Sequence, residues 1–372
     1  MIPYSDVYNT PYKRRHPQNG TQIGAVNMSV AGETHSIIFS DMKHGSEQRR
    51  LLHKKPAKTT KTARSVSQKT SFHANTSFLG ERSSIDCIPG DTRNKKTLML
   101  KKLFLAKCRD LQISYVEAQE RRFLQLCEET VVDRKLVLRD AGLGVESAKV
   151  IAQMLRANDD FASLDLRKNG LANEGCRALA KGLRNNSSIV HLDLGTNEIT
   201  ADGAAHLFPA LARAGTLYSL NLSSGENLNR NRIGPKGCAP LAALLRGGLL
   251  GILNVADNGI GNEGLQLIID ALRDKENLVS LNLSNNEITA TAMPQLVRFV
   301  SGSRLEELRI GHNRFGVKGI EELLQVFRND STRIATLDLG HTEMTSPAAA
   351  YLFQALKGYP SLLTLSVEGN QL

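Results

Sequence analysis

Tryptophan is absent from this 372-residue sequence, and aromatic residues make up only 5% of it. No run of apolar residues is long enough to predict a membrane-spanning helix, so no membrane partner is expected. The opening segment MIPYSDVYNTPYKRRHPQNG lacks the apolar core of a secretory signal. Its low acidity has something of a mitochondrial presequence, but Pro3, Pro11 and Pro17 oppose the amphipathic helix that would require. Five cysteines, an odd count without paired spacing, suit a reducing cytosol rather than a disulfide framework. A Walker loop, a nucleophile elbow, zinc-ligand spacing and a dinucleotide fingerprint are all missing. These absences argue against an enzyme, and no catalytic residue, cofactor or resident metal is expected.

What the chain does have is a repeat. Asn169, Asn197, Asn231, Asn258, Asn286, Asn313 and Asn370 each close a segment such as LDLRKNGL, LDLGTNEI or LNLSNNEI. Ala141 and Thr342 stand at the same place in two further units, and successive spacings are 28, 28, 34, 27, 28, 27, 29 and 28 residues. Counting the Asn as zero, apolar residues fall at −8, −5, −3 and +2, as in Phe161, Leu164, Leu166 and Leu171. Alternation at −5 and −3 predicts a strand with one buried face. The Asn amide both donates and accepts, so a stacked column of them can satisfy turn groups that no regular element covers. At +6 come Gly175, Gly203, Gly237, Gly264 and Gly319, replaced elsewhere by Ser147, Ala292 and Ala348. Pairs such as Leu179 with Leu183 and Leu207 with Leu211 then mark the inward stripe of a helix. Cys176 and Cys238, both one residue past the small position, are expected in the core.

A period near 28 with L-x-x-L-x-L-x-x-N-x-L identifies a leucine-rich repeat solenoid. With a full helix per unit, it resembles the ribonuclease-inhibitor-like class over residues 132–372. The expected fold is an α/β solenoid of eight full repeats and a terminal partial one, curved because helices are wider than strands. Its parallel sheet is concave and its helices convex. Residues 97–131 fit no repeat but carry helical periodicity, with Leu98, Leu100, Leu103 and Leu105 in one segment and Val116, Phe123, Leu124 and Cys127 in another. They are expected to form the helical cap that a solenoid needs. At the other end the sequence reaches the strand and turn of LLTLSVEGNQL without a further helix. Either that strand serves as the cap or a partner or second copy covers it. Between Leu222 and Asn231 the chain runs SSGENLNRN, about six residues long for its place, so a loop bearing Arg230 and Arg232 is expected to bulge from one turn.

Charge divides the chain. Residues 1–96 hold 16 Lys and Arg against 7 Asp and Glu, and the remainder holds 31 against 30. The stretch HKKPAKTTKTARSVSQKTS has almost no large apolar residue, so 1–96 is expected to be a basic disordered tail. Its charge suits an acidic partner such as tubulin, a nuclear-import signal at Lys13-Arg14-Arg15 and Lys54-Lys55, or polynucleotide contact, the last the least expected. Without a partner it is a solvated, phosphorylatable spacer.

On the concave face, position −4 presents Asp165, Asp193, Asn221, Asn254, Asn282, Arg309 and Asp338. Position −2 adds Arg167, Ser223, Ser284 and Glu368 among small residues, and neither position carries Trp, Tyr or Phe. The −4 residues, with Arg230 and Arg232, are the candidate partner-binding set; the bland reading is short polar side chains paired across strands in water. A wet, polar interface is expected rather than one built on aromatic anchors. His312 and His341 share position −1 in neighbouring units and should sit side by side at the turn edge, where Asn285 supplies no third metal ligand.

The cap sequence FLAKCRDLQI and the unit LNLSSGENLNRNRIGPKG are similar to intracellular repeat proteins of ciliated and flagellated eukaryotes. That resemblance implies a non-enzymatic protein-interaction scaffold in the cytoplasm, with a cytoskeletal or axonemal setting, as for a leucine-rich subunit of the nexin–dynein regulatory complex. The alternative is a GTPase-activating protein resembling the Ran activator, in which Arg230 or Arg232 would stabilise charge in phosphoryl transfer. The basic sign of the tail and the lack of a following acidic segment oppose it.

Overall fold

A computed structural model describes residues 26–30, 33–37, 92–130, 134–157, 161–225, 229–247, 249–328 and 332–372. Its elements are β1 (Val26–Val30), β2 (Glu33–Ile37), α1 (Thr92–Asp110), α2 (Glu117–Thr130), β3 (Lys135–Val137), α3 (Val145–Ala157), β4 (Ser163–Asp165) and α4 (Ala172–Leu183). There follow β5 (His191–Asp193), α5 (Ala201–Ala214), β6 (Ser219–Asn221), α6 (Gly234–Arg246), β7 (Ile252–Asn254), α7 (Gly261–Leu272), β8 (Ser280–Asn282) and α8 (Met293–Ser301). The last are β9 (Glu307–Arg309), α9 (Gly316–Leu323), β10 (Thr336–Asp338), α10 (Ser346–Leu356) and β11 (Thr364–Ser366).

Strands β3 to β11 lie in sequence order in one parallel sheet. Their register aligns Leu136, Leu164, Leu192, Leu220, Leu253, Leu281, Leu308, Leu337 and Leu365 in one column, each no more than 2% exposed. Complete burial of such a side chain is worth about 1.5–3 kcal/mol, so this column and the helix stripes against it dominate the stability. Three-residue strands cannot stand alone; each is held by the repeat on either side. The four cysteines among the described residues, Cys108, Cys127, Cys176 and Cys238, are all buried, and none is in a disulfide. Burial pushes the Cys176 and Cys238 thiols up to about 12, which keeps them un-ionised at neutral pH.

Packing between helices relies on one close approach. A Cβ added to Gly182 would lie 2.5 Å from the Ala152 carbonyl oxygen and 2.7 Å from the Ala152 Cα. Gly182→Ala must therefore push α3 and α4 apart, and a loss of about 1–3 kcal/mol is expected. A lowered urea midpoint measures it, and an unchanged midpoint would show that the helices can separate freely.

The cap needs two corrections. Helix α1 begins at Thr92, before the boundary expected at residue 97. Leu98 and Leu105, at 46% and 41% exposure, are also on the outside, whereas Leu100, Leu103, Phe104 and Cys108 are buried. At 100° per residue, positions 98 and 105 share one face, and it lies away from the stripe of 100, 103, 104 and 108. Val116 is exposed too, just ahead of α2, whose Phe123 and Cys127 are buried.

Before α1, two short strands are described. Strands β1 and β2 form an antiparallel pair with Val30 opposite Glu33, and β1 runs parallel to β11 with Asn27 opposite Thr364. The alternation of apolar and polar residues in VNMSV suits a strand. The outer edge of β11 is thus paired with the chain's own strand. The rest of the expected tail, with its basic clusters, lies outside the described residues.

Candidate functional site

The asparagine column comes first because it fixes where every other side chain points. In all seven units the Asn Nδ2 donates to a strand-exit carbonyl of the preceding unit: Leu138, Leu166, Leu194, Leu222, Val255, Leu283 and Leu339. In six, Oδ1 also accepts backbone N–H groups of that unit; Asn286 Oδ1 takes those of Asn258 and Ile260. Six of the seven are at most 2% exposed. The residue before the Asn adopts a left-handed conformation, as at Asp257, Asn285 and His312, and so does His341 before Thr342. His312 and His341 stack there, with ring centroids 4.3 Å apart and planes at 17°. Among the described residues no group of three or more His, Cys, Asp or Glu is placed to hold a metal.

On the sheet face, position −4 performs a task its composition did not announce. Oδ1 of Asp165, Asp193, Asn221, Asn254, Asn282 and Asp338 each accepts the N–H two residues on, at 2.9–3.1 Å. A short carboxylate or amide closes this local turn, which explains why Asp and Asn recur there. One atom of each remains for other use. Asp165 Oδ2 receives Arg139 at 3.0 Å, and Asp193 Oδ2 accepts from Asn221 Nδ2 at 2.9 Å. By contrast, Asn254 Nδ2, Asn282 Nδ2 and Asp338 Oδ2 have no partner among the described residues. Arg309, exposed, donates Nε to Glu307 and leaves the rest of its guanidinium to solvent. Strands β4 to β6 therefore consume their own polar atoms, while β7 to β10 present a donor, a donor, a cation and an acceptor in a row.

Asp193 shows the cost of burying a carboxylate beside another on this face. Burial, and then the neighbouring Asp165 charge, raise its carboxyl above the usual value of 3.8. A folded value above the unfolded one means that the ionised group opposes folding. Its favourable contribution is complete below about pH 3.8 and is lost as pH rises through the folded value. Asp165→Asn should lower the Asp193 value, as read by carboxyl-carbon NMR titration. An unmoved titration would leave burial as the whole cause.

One aromatic reaches this face after all. Tyr218 and His191 pair edge to face at 6.2 Å on the strand-entry lip of β5 and β6, with the Tyr218 ring lying over Gly251. A Cβ on Gly251 would sit 2.2 Å from that ring, so the glycine is what seats the tyrosine. Burial lowers the His191 pKa below its usual 6.5. Sequence reasoning missed the pair because only −4 and −2 were followed, and Tyr218 lies just ahead of its strand. In the inserted turn, Arg230 is ion-paired with Asp257, which also accepts Asn285 Nδ2 at 2.8 Å. Arg232 is exposed, and its N–H donates to the Ile199 carbonyl at 2.7 Å.

The leucine-rich repeat family model matches residues 162–180, 185–208, 250–268 and 275–293. Ribonuclease inhibitor from Sus scrofa is 33% identical over 144 residues, 38% of this chain and 32% of that protein. The chain carries leucine-rich repeats similar to those of ribonuclease inhibitor. The Mus musculus ribonuclease inhibitor is 31% identical to this repeat protein over 138 residues, covering 36% of the chain and 30% of the relative. The human NACHT, LRR and PYD domains-containing protein 13 is 30% identical over 35% of the chain and 13% of its own length. The aligned part thus spans about a third or less of the curated relatives it matches. Among solved structures, an internalin from Listeria monocytogenes aligns with 65% of this chain and 63% of its own, at 18% identity and a TM-score of 0.40. No helix among the described residues is long and apolar enough to cross a membrane.

Proposed function

We propose that this repeat protein is a non-enzymatic scaffold that binds a protein partner across β7 to β10. The observation that carries this reading is the row of unspent polar atoms on Asn254, Asn282, Arg309 and Asp338, each fixed by its own turn or ion pair. Tyr218 supplies the rigid aromatic edge that such a polar row otherwise lacks. Relatives named for inhibiting ribonuclease are in keeping with a protein as the target. The excess of 16 basic over 7 acidic residues in 1–96 adds attraction to an acidic partner such as tubulin, which would set the protein on the cytoskeleton or in an axoneme. The GTPase-activating alternative draws less support, since Arg230 is already engaged by Asp257.

Asn282→Asp is a discriminating change. It keeps the oxygen that caps Ser284 N–H and turns the outward donor into an acceptor. Combined with Arg309→Ala, it should shift unfolding free energy by under about 0.5 kcal/mol yet deplete the partner set recovered by affinity purification and mass spectrometry. A partner set unchanged by this double variant would move the interface off β7 to β10.

A further inference from the structure

The helical side of the repeats carries a basic groove that belongs to neither the sheet face nor the tail. Between α4 and α5 a cavity of about 840 Å³ is rimmed by Arg156, Arg177, Lys181, Arg184, His206 and Arg213, with no acidic residue in its lining. Small residues, Gly182 among them, form its floor, so the long basic side chains stand around an open space. Residues 97–372 carry 31 basic and 30 acidic residues, so a lining of this kind is a local accumulation rather than a general excess. A second groove on the same side, between α7 and α8, shows the contrast: there Asp270, Asp274 and Glu276 face Arg273, Lys275 and Arg298.

Two groups on the α4–α5 rim are already committed. Arg177 is 3.1 Å from Glu174 and 3.9 Å from Asp202, and its Nε donates to His206 Nε2 at 3.3 Å. Arg156 Nε donates to the Lys181 carbonyl at 3.2 Å, which leans it over the groove. Lys181, Arg184 and Arg213 make no ion pair with any described residue and are exposed. Like charges held together without counter-charges repel, and an anion between them relieves that. Arginine forks match the paired oxygens of carboxylate and phosphate.

We propose that the groove between α4 and α5 binds an acidic, phosphorylated peptide segment of a partner protein. A single-stranded nucleic acid fits less well, because the lining has no Phe, Tyr or Trp on which a base could stack and its one imidazole, His206, is engaged by Arg177. This site is separate from the sheet-face row, so a partner can be held on both sides or two partners can be held at once.

The test uses full-length protein and a fluorescein-labelled Glu- and Asp-rich peptide bearing two phosphoserines, followed by fluorescence anisotropy. Lys181→Glu, Arg184→Glu and Arg213→Glu together should weaken binding by about tenfold or more. A charge-matched control, Arg273→Glu, Lys275→Glu and Arg298→Glu, should change it by less than about twofold. Should the triple reversal perturb thermal unfolding, Lys181→Gln with Arg213→Gln is the milder pair, with a loss of about threefold expected. Equal weakening in groove and control variants, or none in the groove variants, would assign the binding to general charge or to the tail and overturn the proposal. Tighter binding of a short RNA, or of vesicles containing a phosphoinositide, that is lost in the same groove variants would overturn the ligand class. Binding retained by an unphosphorylated Ala-substituted peptide at the same affinity would do so as well.

Discussion

Replacing Asn286 with Ala should lower the unfolding free energy by about 3–5 kcal/mol, among the larger effects open to a single side chain here. Its Nδ2 donates to Val255, Leu283 and Ser284 carbonyls at 2.9–3.1 Å, and Oδ1 accepts from Asn258 and Ile260. Removal strands buried donors and acceptors in two adjoining repeats, and each unsatisfied group costs about 1–3 kcal/mol. Thr342 shows what a partial replacement achieves: its hydroxyl donates to the Leu339 carbonyl within its own unit. It does not reach the carbonyl of the unit before. Asn286→Thr should therefore lose roughly half as much as Asn286→Ala. Urea unfolding gives the order, and hydrogen exchange should show lost protection around residues 255–260 as well as at the substituted turn. Equal losses for Thr and Ala would mean that the bond to the preceding unit carries the whole effect.

Asp110→Ala should cost about 2–3 kcal/mol and loosen the cap from the repeats. Asp110 ends α1, and its carboxylate accepts N–H groups from Gly144, Glu146 and Ser147 at 2.8–2.9 Å, at the start of α3. It is a helix cap supplied from another helix, and its negative charge faces the positive end of the α3 dipole. Asp110→Asn keeps one accepting oxygen and should lose less. Protease sensitivity near residues 111–116, rising in Asp110→Ala before global unfolding, would locate the effect at the cap. Unaltered sensitivity with an unaltered midpoint would show that α1 is held by its apolar face alone.

Much of this architecture was legible because it repeats. Nine similar units let the inward leucines, the turn asparagines and the helix stripes identify one another, and buried Cys176 and Cys238 fell out of the same alignment. What repetition does not contain stayed hidden. Asp110 acts on residues 34–37 positions away from outside the repeats, so no period points to it. The turn-closing role of the −4 Asp and Asn was obscured because a residue that bonds two positions on looks, in sequence, like any solvated polar residue on a strand. The basic groove escaped notice since its members come from three helices and the solenoid's charges nearly cancel. Leu98 and Leu105 misled in the other direction, being apolar yet off the helix stripe that is buried.

The inserted turn carries a lesson about how length is controlled. Asn231 Nδ2 bonds Leu222, nine residues back, and Leu194 in the preceding unit, the same two strand-exit carbonyls that Asn258 and Asn286 reach with three residues between Asn and strand. Six extra residues are absorbed before the amide, and Ile233, Gly237 and Leu241 follow as if nothing had intervened. Each unit is thus aligned by docking onto its predecessor rather than by counting along the chain. An error of spacing in one repeat is corrected at the next asparagine and does not accumulate. Such a scaffold can vary the contour of one turn, and with it the surface offered there, while every other unit keeps its place.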